Sequence, residues 1–348
     1  MARIVIADDG IRFDGRTPEA GPLGGAESAV VFLAEELARR GHEVRVRNIC
    51  EHPVAHNGVD WAPLHGDVPY AGLPAEADLY IANRGDRLIP LMAQARRTVF
   101  WVHNPCRYLL KWRYLAKLRR VRPAIVFIGD YHATTYPRWA PDGGRFVIPY
   151  GIAEAFRNAE PAAAPPGPRA VFTSNPLRSL DWLIDLWTSA IRPRVPGAEL
   201  HIFSGAATYG RVGEVKAAEM AAVLARADDP DRGLIVRAPV AKGRLADELK
   251  ASRVMLYRGD ANETFCLAVG EAQAMGVPAV VGDLGSVTER VVDGETGFVA
   301  ADEGRFAEAA VRLLSDDALW LGQHRTALEK QRRWGWPEAA AAFEELIP

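Results

Sequence analysis

Two glutamates eight positions apart, Glu263 and Glu271, are the residues with the clearest chemical potential in this sequence. Gly276 and Pro278 follow them and together are typical of a helix end. The spacing therefore predicts that Glu263 lies at the mouth of a helix and Glu271 within it. Eight helical residues span about 12 Å, which is comparable to the length of a nucleotide sugar from its ribose to its hexose.

Free backbone amides at the predicted helix start could hold a diphosphate between the two glutamates, because the amino-terminal end of a helix attracts anions. These amides belong to Phe265, Cys266 and Leu267. Glu263 would then face sugar hydroxyls and Glu271 would face ribose hydroxyls.

Gly24 and Gly25 form a second candidate phosphate-binding site, at the start of an earlier predicted helix. The apolar residues that follow them recur at helical spacing up to Gly41. Glycine lets backbone amides approach a phosphate without a β-carbon in the way. The Gly-x-Gly-x-x-Gly spacing of a dinucleotide-binding fold is absent, which argues against an NAD-dependent dehydrogenase.

Residues 262–299 closely resemble the Glu-x7-Glu region of family 4 glycosyltransferases, which are retaining enzymes of the GT-B fold. Residues 24–27, Gly-Gly-Ala-Glu, resemble the loop that lies beside the donor phosphates and the acceptor in that family. The resemblance implies that Glu263 orients the transferred sugar and that Glu271 binds the ribose.

The resemblance to family 4 glycosyltransferases extends to the loop that follows the first predicted strand in the second half of the chain. Family members usually carry an arginine there and a lysine five residues later, and both neutralise the leaving diphosphate. Thr173 and Arg178 stand at these two positions here. Arg178 is thus the expected leaving-group cation, and one cation is missing. Asn175 in this loop is a further expected donor contact, and backbone near Gly205 and Ala238 is expected to line the base pocket.

His103 follows a predicted strand, on the side where ligands bind in open α/β sheets. Family members often have a histidine there that contacts the transferred sugar or the acceptor, so His103 is a candidate catalytic residue. A histidine at a strand end also commonly satisfies a local hydrogen bond, and this alternative stays open. Further candidate acceptor contacts are Asp8, Asp9, Arg12 and Arg84.

Short β-rich runs alternate with helical stretches along the whole chain. This pattern predicts an α/β protein with two Rossmann-like, doubly wound parallel-sheet domains that face a cleft, as in the GT-B fold. The predicted strands are Ile4–Ala7, Val44–Asn48, Leu79–Ala82, Thr98–Val102, Ile125–Ile128 and Phe146–Pro149, then Ala170–Thr173, Leu200–Phe203, Leu234–Val236, Val254–Tyr257, Ala279–Val281 and Phe298–Val299.

The expected domain boundaries are inferred from a proline-rich segment, Pro161–Pro168, which can hold neither helix nor strand. Residues 1–152 form the expected acceptor-side domain, 153–169 a linker and 170–336 the nucleotide-sugar donor domain. The terminal helix, 337–348, resembles the ending of GT-B enzymes and is expected to pack back on the first domain.

Composition excludes several classes of protein. A net charge of −2 over 348 residues predicts no nucleic-acid partner. The three cysteines have no metal-ligand spacing, and no aspartate pair suits a divalent ion, so no metal or other cofactor is expected besides a UDP- or GDP-linked donor substrate. No signal peptide and no apolar stretch of about 20 residues is present, which fits a cytoplasmic location.

A basic, aromatic-rich run at Lys111–Arg122 has two interpretations. It is either the solvated face of a helix or a patch for anionic lipid or a phosphate-bearing acceptor, so peripheral membrane contact stays open.

Together these features predict a retaining, metal-independent, hexosyltransferase-like glycosyltransferase. The expected acceptor is a hydroxyl group on a carbohydrate, a lipid-linked molecule or a small molecule. The main alternative is a catalytically weak or inactive sugar-nucleotide-binding protein of the same fold. A GT-B epimerase or phosphorylase is a further alternative, although no lysine has the context of a pyridoxal site.

Overall fold

The computed structural model describes the backbone of all 348 residues and every side chain except those of Ala207 and residues 209–212. The chain divides into two compact units. Met1–Pro18, Gly25–Gly151 and Trp336–Pro348 form the first, and Glu19–Gly24 and Ile152–Gly335 form the second. Residues 153–169, for which the sequence predicts a linker, therefore lie within the second unit.

The first unit is built on an eight-stranded sheet with the strand order β3-β4-β2-β1-β5-β6-β7-β8. Its elements in chain order are β1 (Arg3–Asp8), α1 (Thr17–Ala20), α2 (Gly25–Arg39), β2 (Glu43–Asn48), β3 (Val54–His56), β4 (Val59–Pro63), β5 (Leu79–Asn83), β6 (Arg97–Trp101), α3 (Trp112–Val121), β7 (Ala124–Phe127), α4 (Asp130–Thr134) and β8 (Arg145–Val147). The last two residues of α1 belong to the second unit. A short 3-10 helix, Cys106–Leu110, precedes α3.

Apolar side chains on both faces explain the parallel central strands of this sheet. Ile4 to Ala7 of β1 are all buried, as expected for a strand covered by helices on each side. The antiparallel hairpin β3–β4 at the edge was not predicted. Its turn is Asn57-Gly58, with φ angles of 47° and 79°, so the Asn-Gly hairpin signal was present in the sequence and overlooked.

The second unit is built on a six-stranded parallel sheet with the strand order β11-β10-β9-β12-β13-β14. Its elements are α5 (Glu154–Arg157), β9 (Arg169–Phe172), α6 (Leu180–Leu186), β10 (Glu199–Phe203), α7 (Gly210–Val215), α8 (Ala217–Arg226), β11 (Leu234–Arg237), α9 (Lys242–Lys250), β12 (Val254–Tyr257), α10 (Leu267–Ala274), β13 (Ala279–Gly282), β14 (Gly297–Ala300), α11 (Glu303–Ser315) and α12 (Asp317–Lys330). The predicted class of two parallel-sheet α/β domains is confirmed.

The last helix, α13 (Trp336–Glu344), belongs to the first unit and packs against α2. Phe343 is buried edge-on against Trp101, with ring centroids 5.1 Å apart. At the end of α13 the Glu344 carboxylate accepts hydrogen bonds from Arg40 at 2.6 and 2.8 Å and lies 2.8 Å from His42 Nε2. These contacts lower the pKa of Glu344 to about 2, with the Arg40 hydrogen bond as the largest cause.

We expect Glu344→Gln to destabilise the first unit by roughly 1 kcal/mol at neutral pH, a fall in melting temperature of about 2–4 °C. The folded-state pKa lies below its ordinary value, so this contribution is present at neutral pH and is lost as the pH falls toward 2. Thermal melts of both proteins between pH 7 and 3 measure the difference. Glu345→Gln, at the exposed neighbouring position, is the control; a pH-independent difference between Glu344→Gln and wild type would contradict the assignment.

Candidate active site

In each sheet the strand order reverses at one point, and ligands of open α/β sheets bind beyond the carboxyl ends of the strands at such a point. The reversal lies between β9 and β12 in the second unit and between β1 and β5 in the first. Each pair of strands is adjacent and parallel, so the loops that follow the two strands meet at one edge.

Arg178 and Glu263 follow β9 and β12, respectively, and form an ion pair. Arg178 Nη1 donates to Glu263 Oε2 at 2.5 Å, and the Tyr257 hydroxyl donates to the same oxygen at 2.9 Å. The Cys266 amide donates to Oε1 at 3.2 Å. Both carboxylate oxygens are thus held in place. Burial works against the charge of Arg178, but the neighbouring acidic groups, with Glu263 first among them, together outweigh it and raise the pKa of the guanidinium.

The loop after β9 is shaped by its own polar groups. The Asn175 side chain accepts a hydrogen bond from the Leu177 amide at 2.9 Å, and the Asn175 carbonyl accepts one from the Arg178 amide at 2.9 Å. Ser179 adopts a φ of 64° and its hydroxyl donates to the Gly259 carbonyl, at the end of β12. Asn175, expected as a donor contact, therefore acts in this structure on the loop that positions Arg178.

Helix α10 begins later than the sequence predicts. Its first residue is Leu267, and the residue before it, Cys266, has a φ of 64° and provides no side-chain cap. Glu263 thus lies in the loop, and the expected 12 Å separation over eight helical residues does not apply. The reason is the left-handed conformation of Cys266, which interrupts the helix. Gly276, with a φ of 76°, ends the helix as predicted.

Side chains at the start of α10 are largely unavailable to a ligand. Phe265 and Cys266 are both buried, and burial raises the pKa of the Cys266 thiol well above its usual range. A diphosphate at this position would therefore meet backbone amides.

Glu271 is 3% exposed and forms an ion pair with Lys242, the first residue of α9. The Lys242 ammonium also lies 5.6 Å from the centre of the Phe156 ring. Burial raises the pKa of Glu271, and Lys242 opposes that rise. Sequence reasoning missed Lys242, since no spacing relates a lysine after β11 to a glutamate in α10.

Gly205 and Ala238, which are expected near the nucleotide base, both lie at the carboxyl edge of the second sheet. Gly205 follows β10 and Ala238 follows β11, a neighbouring strand. A β-carbon on Gly205 would lie 3.2 Å from the Pro239 ring, so these two loops are close together.

The first unit carries a buried polar network at its own point of reversal. Asp8 ends β1 and is fully buried; it accepts hydrogen bonds from Asn83 Nδ2 at 2.5 Å and from Arg84 Nε at 3.1 Å. Arg84 also pairs with Glu27 of α2, at 2.8 Å. Burial works against the charge of Arg84, but Asp8 and Glu27 outweigh it and raise its pKa.

His103 extends this network, since Asn83 Oδ1 lies 2.5 Å from its Nε2 and the Tyr150 hydroxyl bonds its Nδ1. An amide oxygen only accepts, so Nε2 carries the proton and Nδ1 accepts from Tyr150. Burial, followed by the charge of Arg84, lowers the pKa of His103 well below its usual range. The predicted histidine is therefore a neutral member of a polar cluster that sequence reasoning did not foresee; Glu27, Asn83 and Tyr150 are its missed partners.

Other predicted residues lie elsewhere or have other partners. Gly25 begins α2, whereas Gly24 is assigned to the second unit. Arg12 pairs with Glu51, and both side chains are exposed. Burial and the adjacent Asp8 raise the pKa of Asp9. Among the residues with described side chains, no three His, Cys, Asp or Glu residues are grouped as metal ligands.

No helix in the described part of the chain is both long enough and apolar enough to cross a membrane.

The architecture is that of the GT-B glycosyltransferases, as comparison with solved structures shows. Sucrose-phosphate synthase from Thermosynechococcus elongatus superposes with a TM-score of 0.74 at 17% identity, over 99% of this chain and 98% of that one. Anabaena HepE, solved with UDP and glucose, gives a TM-score of 0.73 at 15% identity, over 99% of both chains. Likeness at these identities shows the fold alone.

The match to a protein-family model lies within the second unit. Residues 168–316 match the family model described as "Glycosyl transferases group 1". The D-inositol 3-phosphate glycosyltransferase of Xylanimonas cellulosilytica is 36% identical over 115 residues, which are 32% of this chain and 27% of that protein. The Streptomyces avermitilis enzyme of the same name is 34% identical over 112 residues, 32% of this chain and 24% of that protein. The match thus spans about a quarter of the length of these relatives.

We expect the imidazole of His103 to stay neutral between pH 8 and the usual histidine pKa of 6.5, because burial lowers its folded-state pKa well below that value and both ring nitrogens are hydrogen-bonded. Imidazole 15N spectra recorded across this range measure its protonation, and His103→Asn identifies its signals. Protonation of His103 within the range would refute the buried, neutral assignment.

We expect Lys242→Met to cost about 3–5 kcal/mol of stability at neutral pH, because it leaves the buried Glu271 carboxylate without its partner. Without Lys242 the pKa of Glu271 rises further, because the ionised carboxylate is buried without a cation. The stability of the variant is therefore lowered only while Glu271 is ionised. The loss therefore shrinks as the pH falls toward protonation of Glu271. Denaturant unfolding at several pH values measures it, with Lys250→Met, at the exposed end of α9, as the matched control. Equal effects of the two variants would contradict the buried-pair assignment.

Proposed function

We propose that this protein is a glycosyltransferase that moves a sugar from a nucleotide diphosphate sugar to a hydroxyl acceptor. The observation that carries the proposal is the Arg178–Glu263 ion pair at the point of reversal of the second sheet. Both residues lie in the segment that matches the glycosyltransferase family model. A cation and an oriented carboxylate at a ligand-binding edge are what a diphosphate and a sugar ring require.

Arg178 is suited to the leaving diphosphate. Charge builds on the departing phosphate as the glycosidic bond breaks, so a cation already held in place favours the transition state. The guanidinium has five N–H donors, of which the Glu263 bond uses one nitrogen. The amides at the start of α10 would share the phosphate charge.

Glu263 and Glu271 are assigned to the two sugars of the donor. Glu263 would accept hydrogen bonds from the transferred sugar, and Glu271 from the ribose. Gly205 and Ala238 would lie near the base. The donor is UDP- or GDP-linked, and UDP is the first choice for assay because the similar HepE structure was solved with UDP and glucose.

A retaining, front-face mechanism suits this chain better than attack by an enzyme carboxylate. Three donors already hold both oxygens of Glu263, which makes it a poor nucleophile. The departing phosphate oxygen would instead take the proton of the acceptor hydroxyl. The charge of the diphosphate is met by Arg178 and backbone amides, so we propose that no metal ion is needed.

The acceptor would bind at the edge of the first sheet that carries Asp8, Glu27 and Arg84. A carbohydrate, a lipid-linked molecule or a small polyol offers the hydroxyl groups that such side chains bind. His103 would act there through Asn83 and Tyr150, as a positioning residue rather than as a proton carrier.

A second candidate function is sugar-nucleotide binding without turnover. Thr173, directly after β9, stands where the family usually carries a second cation, and this weakens the neutralisation of the leaving group. Lys242 is already paired with Glu271. Donor hydrolysis or sugar transfer separates the two functions, because a protein that only binds the donor shows neither.

We expect Arg178→Ala to lower kcat about 100-fold while changing the KM for the donor much less, because the cation acts mainly in the transition state. Incubate wild type with a panel of UDP- and GDP-sugars and hydroxyl acceptors in EDTA, and measure nucleoside diphosphate release and sugar transfer. Arg178→Lys tests for the charge alone, and the exposed Arg305→Ala is the matched control.

Three outcomes would contradict the proposed function, the role of Arg178 or metal independence, respectively. Donor binding without release or transfer by wild type would favour the binding protein. An unchanged kcat in Arg178→Ala would remove Arg178 from the leaving-group site. Loss of activity in EDTA with rescue by magnesium or manganese would refute metal independence.

A further inference from the structure

An arginine-lined cavity opens in the first unit, at the amino-terminal end of β6. Its volume is about 440 Å³. Two arginines come from the start of the strand, Arg96 and Arg97, and two come from the end of α3, Arg120 and Arg122. None of the described residues that line it is acidic. Four cations without a carboxylate in the lining make this a site for an anion.

The partners of these arginines leave most of the positive charge uncompensated. Arg96 lies 3.6 Å from Asp78. Arg97 donates to the Gly143 carbonyl at 3.2 Å, but its Nε is buried without a hydrogen-bond partner in the described structure. Within that same part of the chain, Arg120 and Arg122 form no ion pair. A buried, unsatisfied cationic N–H costs free energy that an anionic oxygen would recover.

The cavity continues onto an exposed basic surface of α3. We name it the α3 surface; it comprises Arg107, Lys111, Trp112, Arg113, Arg119, Arg120 and Arg122, all exposed. No acidic residue occurs between Arg107 and Arg122. Trp112 and Arg119 are seven positions apart and share the outward face of the helix, whereas Leu118 packs into the core.

Trp112 decides what kind of anionic partner fits. Its side chain is 81% exposed, between Lys111 and Arg113. Indole rings favour the interface between water and lipid headgroups, and basic residues beside them attract anionic lipids. A small soluble anion would use the cavity but would leave Trp112 and the rest of the α3 surface in water.

The arginine cavity is separate from the candidate acceptor site. Arg97 begins β6, whereas His103 follows its other end, and five strand residues span roughly 16 Å. The arginines of the cavity thus lie at the amino edge of the sheet, and Asp8, Asn83 and His103 lie at its carboxyl edge. Helix α3 runs back between the two edges.

We propose that the α3 surface docks on an anionic lipid membrane and that the arginine cavity takes a lipid phosphate. Basic side chains near such a surface each add to binding, and Trp112 enters the headgroup region. The interaction weakens as salt rises, because the charges act across solvent.

Vesicle co-sedimentation of the full chain tests this, using phosphatidylcholine alone and with about 30% phosphatidylglycerol. We expect binding only to the anionic vesicles at roughly 0.1 M salt, weakening as salt rises. Arg119→Glu/Arg120→Glu/Arg122→Glu should lower the partition coefficient at least tenfold, and Trp112→Ala should lower it severalfold. Arg305→Glu/Arg312→Glu/Arg325→Glu makes the same charge change on exposed positions of the second unit and should bind as wild type does. Thermal melts check that each variant is folded.

The proposal is overturned if wild type does not bind anionic vesicles, or binds phosphatidylcholine equally well. It is also overturned if the two triple variants lose binding equally. Calorimetry with inorganic phosphate distinguishes a soluble ligand: saturable phosphate binding that requires Arg120 and Arg122, without vesicle binding, would assign the cavity to a free phosphate. If the triple variant does not fold, Trp112→Ala decides, because an unchanged partition coefficient would then reject the membrane contact.

Discussion

The pairing of buried carboxylates with partly exposed arginines at the carboxyl ends of parallel strands is the constraint on which both candidate sites depend. A carboxylate taken out of water is tolerated only with a cation or hydrogen-bond donors beside it. Arg178 meets Glu263 in the second unit, and Arg84 meets Asp8 and Glu27 in the first. Each pair ties together loops from neighbouring strands where the sheet order reverses. The fold therefore fixes these charged groups at the edges where ligands of open α/β sheets bind.

Strands of this protein are readable from sequence because burial on both faces leaves continuous apolar runs, such as Ile4 to Ala7. Pairings between loops are not readable in this way. Lys242 and Glu271 are 29 positions apart, and Arg178 and Glu263 are 85 apart. The sequence indicated three of these four residues as ligand contacts, but their contacts with each other follow from the strand order. Strand order was not predicted.

The start of α10 shows how tertiary contacts override local preference. A cysteine seldom adopts a positive φ, so sequence rules extend the helix through Cys266. The Glu263 carboxylate accepts the Cys266 amide, and Arg178 in turn holds that carboxylate. A local conformation thus depends on a residue 88 positions earlier in the chain. The same contacts leave Glu263 oriented before any ligand arrives, which reduces the entropy lost on binding.

Charge is divided between opposite ends of the first unit, although the whole chain carries a net charge of only −2. At the carboxyl edge of the sheet, Asp8, Asp9 and Glu27 outnumber Arg84. At the amino edge, four arginines line a cavity without an acid. An anionic surface would therefore attract the arginines of the amino edge and the exposed basic side of α3, which runs from the carboxyl edge to the amino edge. The acids of the candidate acceptor site are buried at the ends of β1 and α2, whereas the basic side chains of α3 are exposed, so docking through α3 does not require those acids to face the membrane.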